Sequence, residues 1–236
     1  GYQIEGIYKS KEELASHAVQ PGINNDAESL ASDKWRASLG KFKFKDINND
    51  GIINEDDKTI IGNPHPDFTY GLDLNFYWKN WELNLYFYGS QGNDVYNYVK
   101  YWTDFSGSFI GGRSKKIMTD SWEFGKGDTP LPILDINNTS DANYSTSYYV
   151  EDGSFLRCKN LQLSYNLPKS LLQKVGVDNL KVYGQVTNLF TITKYSGLDP
   201  DVGSLYLGGG GDWQRGLDYG AYPQPRAVIF GAMINF

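Results

Sequence analysis

The residues whose types and spacing could do chemistry are concentrated in one stretch, Asp46-Ile-Asn48-Asn-Asp50-Gly51-Ile52-Ile-Asn54-Glu-Asp-Asp57. Counting from Asp46, side-chain oxygens fall at positions 1, 3, 5, 9 and 12 with glycine at position 6, the spacing of an EF-hand calcium loop. Asp46, Asn48, Asp50 and Asp57 would supply hard oxygen donors, and Ile52 a backbone carbonyl, a set that selects Ca2+ over transition metals. Asp57 stands where a bidentate Glu is usual, so capture of the ion is weaker than in a standard loop. The competing reading is an Asx-rich turn that spends the same oxygens on its own backbone. No nucleophile or base accompanies the loop, so its expected role is structural in either case.

Other reactive chemistry is sparse. Cys158 is the single cysteine, which rules out an internal disulfide and a thiolate zinc site, and His17 and His65 are too far apart in sequence to suggest a metal pair. Glu151, Asp152, Asp199, Asp201, Asp212 and Asp218 could in principle hold a glycosidase acid–base pair, but loop acids of this kind read first as solvated charges. The run Gly208–Gly211 lacks the spacing of a phosphate-binding loop and reads as a loop tip. A net charge of -6 with scattered Lys and Arg argues against nucleic acid, which needs a basic stripe. Trp102, Tyr148, Tyr149, Tyr206 and Trp213 are candidate contacts to a substrate or partner, by stacking on sugar rings or peptide side chains; packing of the loops on themselves is the alternative. No enzyme is expected.

The elements that would position these residues are strands. The mean hydropathy is -0.50 and no apolar run approaches the ~20 residues of a transmembrane helix, while aromatics reach 15% with 18 Tyr and 6 Trp. Between Asp67 and Trp81, Leu72, Leu74, Phe76 and Trp78 alternate with Asp73, Asn75, Tyr77 and Lys79. The pattern resumes in Trp81, Leu83, Leu85 and Phe87, leaving only Lys79-Asn80 for a hairpin turn. Phe155–Leu167, Asn179–Phe190 and Arg226–Phe236 repeat the alternation, and Gly1–Tyr8 reads as the tail of an earlier strand. In Phe155–Leu167 the basic residues Arg157 and Lys159 share the apolar parity and are expected above the hydrocarbon. Tyr77, Tyr86, Tyr88, Tyr96 and Tyr98 suit an interfacial girdle or a lumen wall.

These segments predict an all-β fold: about six strands of a transmembrane antiparallel β-barrel, each near the ~9–11 residues that a tilted strand needs to cross a bilayer. The long connections Lys9–Pro66, Gln91–Ser154 and Thr191–Gln224 fall at every second joint, which puts them on one side, the extracellular one in a barrel. Short helices are expected within them at Ser10–Ala15 and Lys115–Phe124. The last strand carries Gly231-Ala-Met-Ile234-Asn-Phe236, an aromatic-ended pattern like the terminal-strand signal of outer-membrane assembly, with Phe236 expected at the periplasmic rim facing lipid. Six strands leave two open edges that lipid does not tolerate, and no signal peptide precedes Gly1, so the chain is expected to be the carboxy-terminal portion, residues 1–236, of a longer barrel.

Over nearly its whole length the chain resembles the carboxy-terminal part of SusC/RagA-type TonB-linked outer-membrane transporters. The matching stretches are Phe44-Lys-Asp-Ile-Asn-Asn-Asp-Gly51, Thr59-Ile-Ile-Gly-Asn63, Pro66-Asp-Phe-Thr-Tyr-Gly71, Gly89-Ser-Gln-Gly-Asn-Asp94 and Val150-Glu-Asp-Gly-Ser-Phe-Leu-Arg157. Gln185-Val-Thr-Asn-Leu-Phe190, Lys194-Tyr-Ser-Gly-Leu-Asp-Pro200, Asp218-Tyr-Gly-Ala-Tyr-Pro223 and Pro225-Arg226 follow in order. The resemblance implies a barrel of about 22 strands with an amino-terminal plug, a SusD-like surface lipoprotein as lid, and import of oligosaccharides or peptides driven by the TonB complex. The plug and the remaining strands would come from the same protein, and outer-membrane lipid would cover the barrel. A free-standing calcium-dependent carbohydrate-binding or adhesion β domain is the alternative.

Overall fold

The structure is a computed structural model that describes residues 1–105, 111–123, 127, 129–135, 141, 144–172, 176–202 and 214–235. Ten strands occur among the described residues: β1 Ile4–Ile7, β2 Phe42–Phe44, β3 Phe68–Trp78, β4 Trp81–Gln91, β5 Asp94–Asn97, β6 Val150–Asp152, β7 Phe155–Asn166, β8 Asn179–Thr193, β9 Leu217–Asp218 and β10 Ala227–Asn235. None of the described helices is long and apolar enough to cross a membrane, which leaves open crossing by strands. The chain divides into two compact units, one of residues 1–63, 96–150 and 217–219, the other of residues 64–95, 151–216 and 220–236.

The second unit is built on one antiparallel sheet in the spatial order β10-β8-β7-β4-β3. Because side chains alternate between faces with a period of two, its register decides which residues share a side. Leu74 pairs with Leu85, Leu85 with Leu161, Leu161 with Val186 and Val186 with Val228, which makes one apolar row across all five strands. Phe76, Leu83, Leu163, Gly184 and Phe230 form the next row, and Trp78, Trp81, Tyr165, Val182 and Ala232 the row after that. Where Gly184 interrupts its row, the Phe230 ring lies against the space a Cβ would fill, 3.4 Å away, so the neighbouring strand covers the gap. Leu72, Phe76, Trp78, Leu163, Val228 and Phe230 are all exposed, so this face is an uncovered apolar surface.

The β3–β4 hairpin closes as expected through Lys79-Asn80, with Trp78 opposite Trp81 and Lys79 in the left-handed region at φ 53°. Two expectations are corrected. The amino-terminal segment is no spanning strand of this sheet: β1 pairs only with β2, in a separate ribbon whose Ile7, Phe42 and Phe44 are buried. The large sheet therefore has five strands. Arg157 is also on the opposite side from the one its spacing suggests. The register of β4 on β7 slips between Tyr86/Phe87, and that of β7 on β8 between Cys158/Asn160, leaving Lys159 without a cross-strand partner. This bulge reverses the parity, so Arg157 pairs with Tyr88 and Thr191 on the polar side.

There Arg157 is almost wholly buried and ties down the segment after β8. Its Nη2 makes an ion pair with Asp199, and its Nε donates to Thr191 Oγ1 at 2.9 Å. Asp199 also accepts from the backbone N–H groups of Asp201 and Gln224, each at 2.9 Å. Burial opposes ionisation of Asp199, but these N–H donors and the guanidinium outweigh it and hold the carboxyl below the usual range.

The first unit has its own core of Tyr2, Tyr8, Leu14, Phe42, Phe44, Ile53, Phe105, Trp122 and Tyr149. Short helices at Lys11–Ser16, capped by Ser10, and Lys116–Asp120 match the expected helical segments within a residue at their starts, the second being shorter than expected. The connections Lys9–Pro66 and Gln91–Ser154 thus contribute described residues to a packed core.

Two outcomes follow from this architecture. Leu85→Arg, in the middle of the apolar face, should cost about 2–4 kcal/mol in urea unfolding from lipid vesicles, whereas Gln162→Ala on the other face should cost about 1 kcal/mol. Asp199→Ala should cost about 3 kcal/mol by removing the nearest carboxylate of a buried guanidinium, which keeps only the longer ion pair with Asp201 at 3.6 Å. Because the folded-state pKa of Asp199 is depressed, its contribution is complete above the unfolded value of about 3.9 and disappears as pH falls through the folded value. The stability gap between wild type and Asp199→Asn should therefore narrow in denaturation curves taken below about pH 4.

Candidate functional site

The face opposite the apolar rows is lined by amides and hydroxyls whose position follows from the same register. Asn84 Nδ2 donates to Asp73 Oδ1 and to Asn75 Oδ1, both at 2.8 Å, and Asn75 Nδ2 donates to Asp73 Oδ1 at 2.9 Å. The chain continues onto β7, where Asn160 Nδ2 donates to Asn84 Oδ1 at 3.0 Å, and Gln162 Nε2 reaches Ser164 Oγ at 3.0 Å. Lys181 on β8 pairs with Glu82 on β4 at 2.5 Å. These polar partners are held by one another and present further donors and acceptors along a strip running across the strands. Such a surface offers hydrogen bonds without a concentrated charge. A cavity of about 270 Å³ lies in the same unit, lined by Thr69, Tyr88, Ser90, Phe155, Asp201 and Arg215 among others.

Loop 46–57 belongs to the first unit and takes the turn that its spacing predicts. Gly51 has φ 84°, and its N–H donates to Asp46 Oδ2 at 2.9 Å, while Asp46 Oδ1 accepts from Asn49 N at 2.7 Å. Asn48 Oδ1 accepts from Asp50 N and Asp50 Oδ1 from Ile52 N. Asp57 is fully buried, with Oδ1 accepting from Ile47 N and Oδ2 from Asn54 N, both at 2.8 Å. Burial opposes its charge, yet these backbone donors hold its carboxyl low. Ile53 is buried, and its N–H donates to Val19 O at 2.9 Å, while Val19 N–H donates to Gly51 O at 2.9 Å. Among the described residues no three Asp, Glu, His or Cys side chains converge as a metal-holding group. The loop satisfies its own backbone donors as an Asx-rich turn.

The aromatic candidates separate. Tyr149 is 1% exposed and belongs to the core of its unit, with burial pushing its hydroxyl well above the usual range. Tyr148 is half-buried, and its hydroxyl donates to Asp104 Oδ2 at 2.6 Å. Trp102 is 40% exposed and joins Tyr98, Tyr101 and Tyr219 in a cluster with ring separations of 4.7–6.1 Å. Of the three, Tyr149 is packed in the core, Tyr148 is half-buried and Trp102 is exposed. Tyr206, Trp213, Phe236 and the Gly208–Gly211 run lie outside the described residues. Gly231 and Ile234 sit in β10, opposite Tyr183 and Leu180. The sequence reading missed the Arg157–Asp199 pair. Its available signal was the pair of basic residues at apolar parity, an arrangement that a bulge relieves.

No family model matches the chain. Among curated proteins it is 32% identical over 239 residues to TonB-dependent receptor P3 of Formosa agariphila, covering 100% of this chain and 22% of that protein. It is 30% identical over 196 residues to TonB-dependent receptor SusC of Bacteroides thetaiotaomicron, covering 82% and 17% respectively. Among solved structures, a chain of the RagAB peptide transporter superposes with a TM-score of 0.69 at 25% identity, covering 100% of this chain and 22% of that one. The chain thus spans about a fifth of the length of the relatives it matches. With an antiparallel sheet of matching fold and receptor relatives aligned along its whole length, the chain belongs to the SusC/RagA-type TonB-dependent receptors.

Proposed function

We propose that the chain forms the carboxy-terminal wall of a TonB-energised outer-membrane importer of oligosaccharides or peptides. The observation that carries this reading is a single five-stranded sheet with a continuous apolar face and an opposite amide-lined face, in a chain that aligns along its full length with TonB-dependent receptors. The apolar face would meet outer-membrane lipid, and the amide strip would line the passage. Both sheet edges, β3 and β10, would pair with further strands of the same protein, completing a barrel of about 22 strands around a plug. The first unit would sit in the extracellular loops beneath a SusD-like lipoprotein, the chain end would face the periplasm, and Gly231, Ile234 and Phe236 would carry the assembly signal. TonB would act through the plug. No bond is made or broken by these residues.

The test is uptake of labelled oligosaccharides and peptides by cells carrying the whole receptor. Uptake should vanish in cells lacking the TonB complex, with the receptor recovered in the outer-membrane fraction. Uptake that persists without TonB, or a receptor found in soluble fractions, would overturn the reading.

Calcium binding by loop 46–57 is a second reading, favoured by the Gly51 turn and by the Asp46 carboxylate folded back over it. An ion there would take oxygen lone pairs that now serve backbone N–H groups, so weak binding is expected. A chelator should lower the melting temperature by a few degrees, and Asp46→Ala should remove that dependence. Superimposable melting curves with and without chelator would refute it.

A further inference from the structure

The free edge of β1, in the first unit, has backbone hydrogen bonds left to make. Tyr8 faces β2: its N–H donates to Lys41 O at 3.0 Å, and its C=O accepts from Gly40 N–H at 2.7 Å. Successive residues of a strand turn their backbone groups to opposite sides, so the N–H and C=O of Ile7 face away from β2. The register agrees. Phe42, which stands opposite Ile7, donates its N–H to Asp141 and accepts at its C=O from Gln20 Nε2, so its backbone is not spent on β1.

The near half of that edge is closed. Tyr2 N–H donates to Ser145 O at 2.8 Å, Ser147 N–H to Tyr2 O at 3.0 Å, and Ile4 N–H to Ser147 Oγ at 3.0 Å. The bulge between Ile4 and Gly6 adds one residue, so Ile4 and Ile7 are consecutive outward positions. Beyond Ser147, the C=O of Ile4 and both groups of Ile7 have no hydrogen-bond partner among the described residues. Ile7 is 3% exposed, so bulk water does little for them, and a buried unpaired N–H or C=O is costly. A cavity of about 420 Å³ lies along this stretch, walled by Ile4, Ile7, Phe42, Pro130, Ser147 and Tyr148. The Phe42 and Tyr148 rings are 5.5 Å apart, and the acid on the wall, Glu5, has Lys43 Nζ at 3.3 Å and His17 Nε2 at 3.4 Å.

A donor and an acceptor on one residue, pointing the same way, are matched by the same pair on a residue of an antiparallel strand. We propose that the Ile4–Ile7 edge binds an extended peptide by strand addition. The peptide residue opposite Ile7 exchanges two main-chain bonds with it, and the residue two positions further on donates its N–H to Ile4 O. Side chains of directly opposed residues share a face, so both of these peptide residues lie on the side of Ile7 and Phe42 and are apolar. A sugar ring carries no donor–acceptor pair at the ~7 Å repeat of a strand, and would leave these groups unmatched. With Glu5 already engaged, recognition rests on backbone and apolar side chains rather than on charge. Two outward positions bury far less than the ~1,000 Å² of a stable protein interface, which favours a short ligand peptide over a strand of a partner protein. The inference rests on the import reading above for the origin of that peptide outside the cell.

The experiment is calorimetric titration of the full-length receptor in detergent with acetyl-seryl-leucyl-seryl-leucyl-serine amide, which has no charge, and with two N-methylated forms of it. With the leucines on the side of Phe42, their N–H groups point at β1 and the N–H of the central serine points away. N-methylation of both leucines should therefore weaken binding about tenfold or more, and N-methylation of the central serine about twofold or less. A diazirine analogue of leucine at either position should cross-link to residues 4–7, Phe42 or residues 147–148 of the unmodified receptor, read by mass spectrometry. Thr129→Trp, which fills the cavity from its wall, should abolish the titration heat, with heat-modifiable electrophoretic mobility as the check on folding. Cross-linking decides the matter if that variant does not fold. Absence of binding by the parent peptide, equal loss with either methylation pattern, or cross-links confined elsewhere would overturn the site. TonB-dependent uptake in that event would leave the import reading standing, whereas uptake independent of TonB would remove that reading and leave the methylation pattern to decide strand addition.

Discussion

The register across the five-stranded sheet is the constraint on which the other features depend. With a side-chain period of two, a one-residue slip at the β3–β4, β4–β7 or β7–β8 pairing would carry leucines onto the amide side and asparagines onto the apolar side. The row Leu74, Leu85, Leu161, Val186, Val228 and its neighbour Asn75, Asn84, Gln162, Gln185 exist only because every pairing agrees. Each face reinforces that agreement in its own way, by apolar contact on one side and by side-chain hydrogen bonds on the other. The two faces are therefore one decision, taken once along each strand.

The bulge at Lys159 is the place where that decision is locally reversed. Beyond it the strand end presents Arg157 and Phe155 to the polar side, and β8 accommodates the change at Asn188, whose φ is 50°. The Arg157–Asp199 pair then draws the segment after β8 back over the sheet, and Gln224 is added through its N–H. A buried charge is costly unless paired and hydrogen-bonded, and here the guanidinium and carboxylate solve each other's burial while fixing a turn that carries Asp201. The polar surface near the strand ends is thus assembled from loop as well as strand, which is why it contains charge while the middle of the sheet contains mainly amides.

What was legible in the sequence was periodic. The β3–β4 hairpin, β7, β8 and β10 all show their alternation, and Lys79-Asn80 leaves room for nothing but a tight turn. What escaped was aperiodic or distant in sequence. A bulge changes the meaning of parity at a single residue, so counting by twos through Lys159 placed Arg157 on the wrong side. Gly1–Tyr8 alternates like a spanning strand but pairs with Phe42–Phe44, a choice made by a core that gathers Tyr2, Phe44, Phe105 and Trp122 from far apart in the chain. The aromatics of the connections could be recognised as important without showing whether they faced outward. Burial made Tyr149 a core residue and left Trp102 at the surface, a distinction that depends on neighbours no local pattern records. In loop 46–57 spacing revealed the turn, and the same spacing is compatible with both an ion and a network of N–H donors.

The hairpin at Lys79-Asn80 has an asymmetry with a consequence for how such a wall can change over time. At that end of the sheet β3 and β4 are joined with no slack, and an insertion there would have to replace the two-residue turn between Trp78 and Trp81. At the opposite end the connection between β4 and β7 leaves the sheet and contributes Phe105, Trp122 and Tyr149 to the core of the other unit. A substitution there meets a separate packing problem and leaves the pairing of the sheet untouched. The scaffold is thereby insulated from its own innovation.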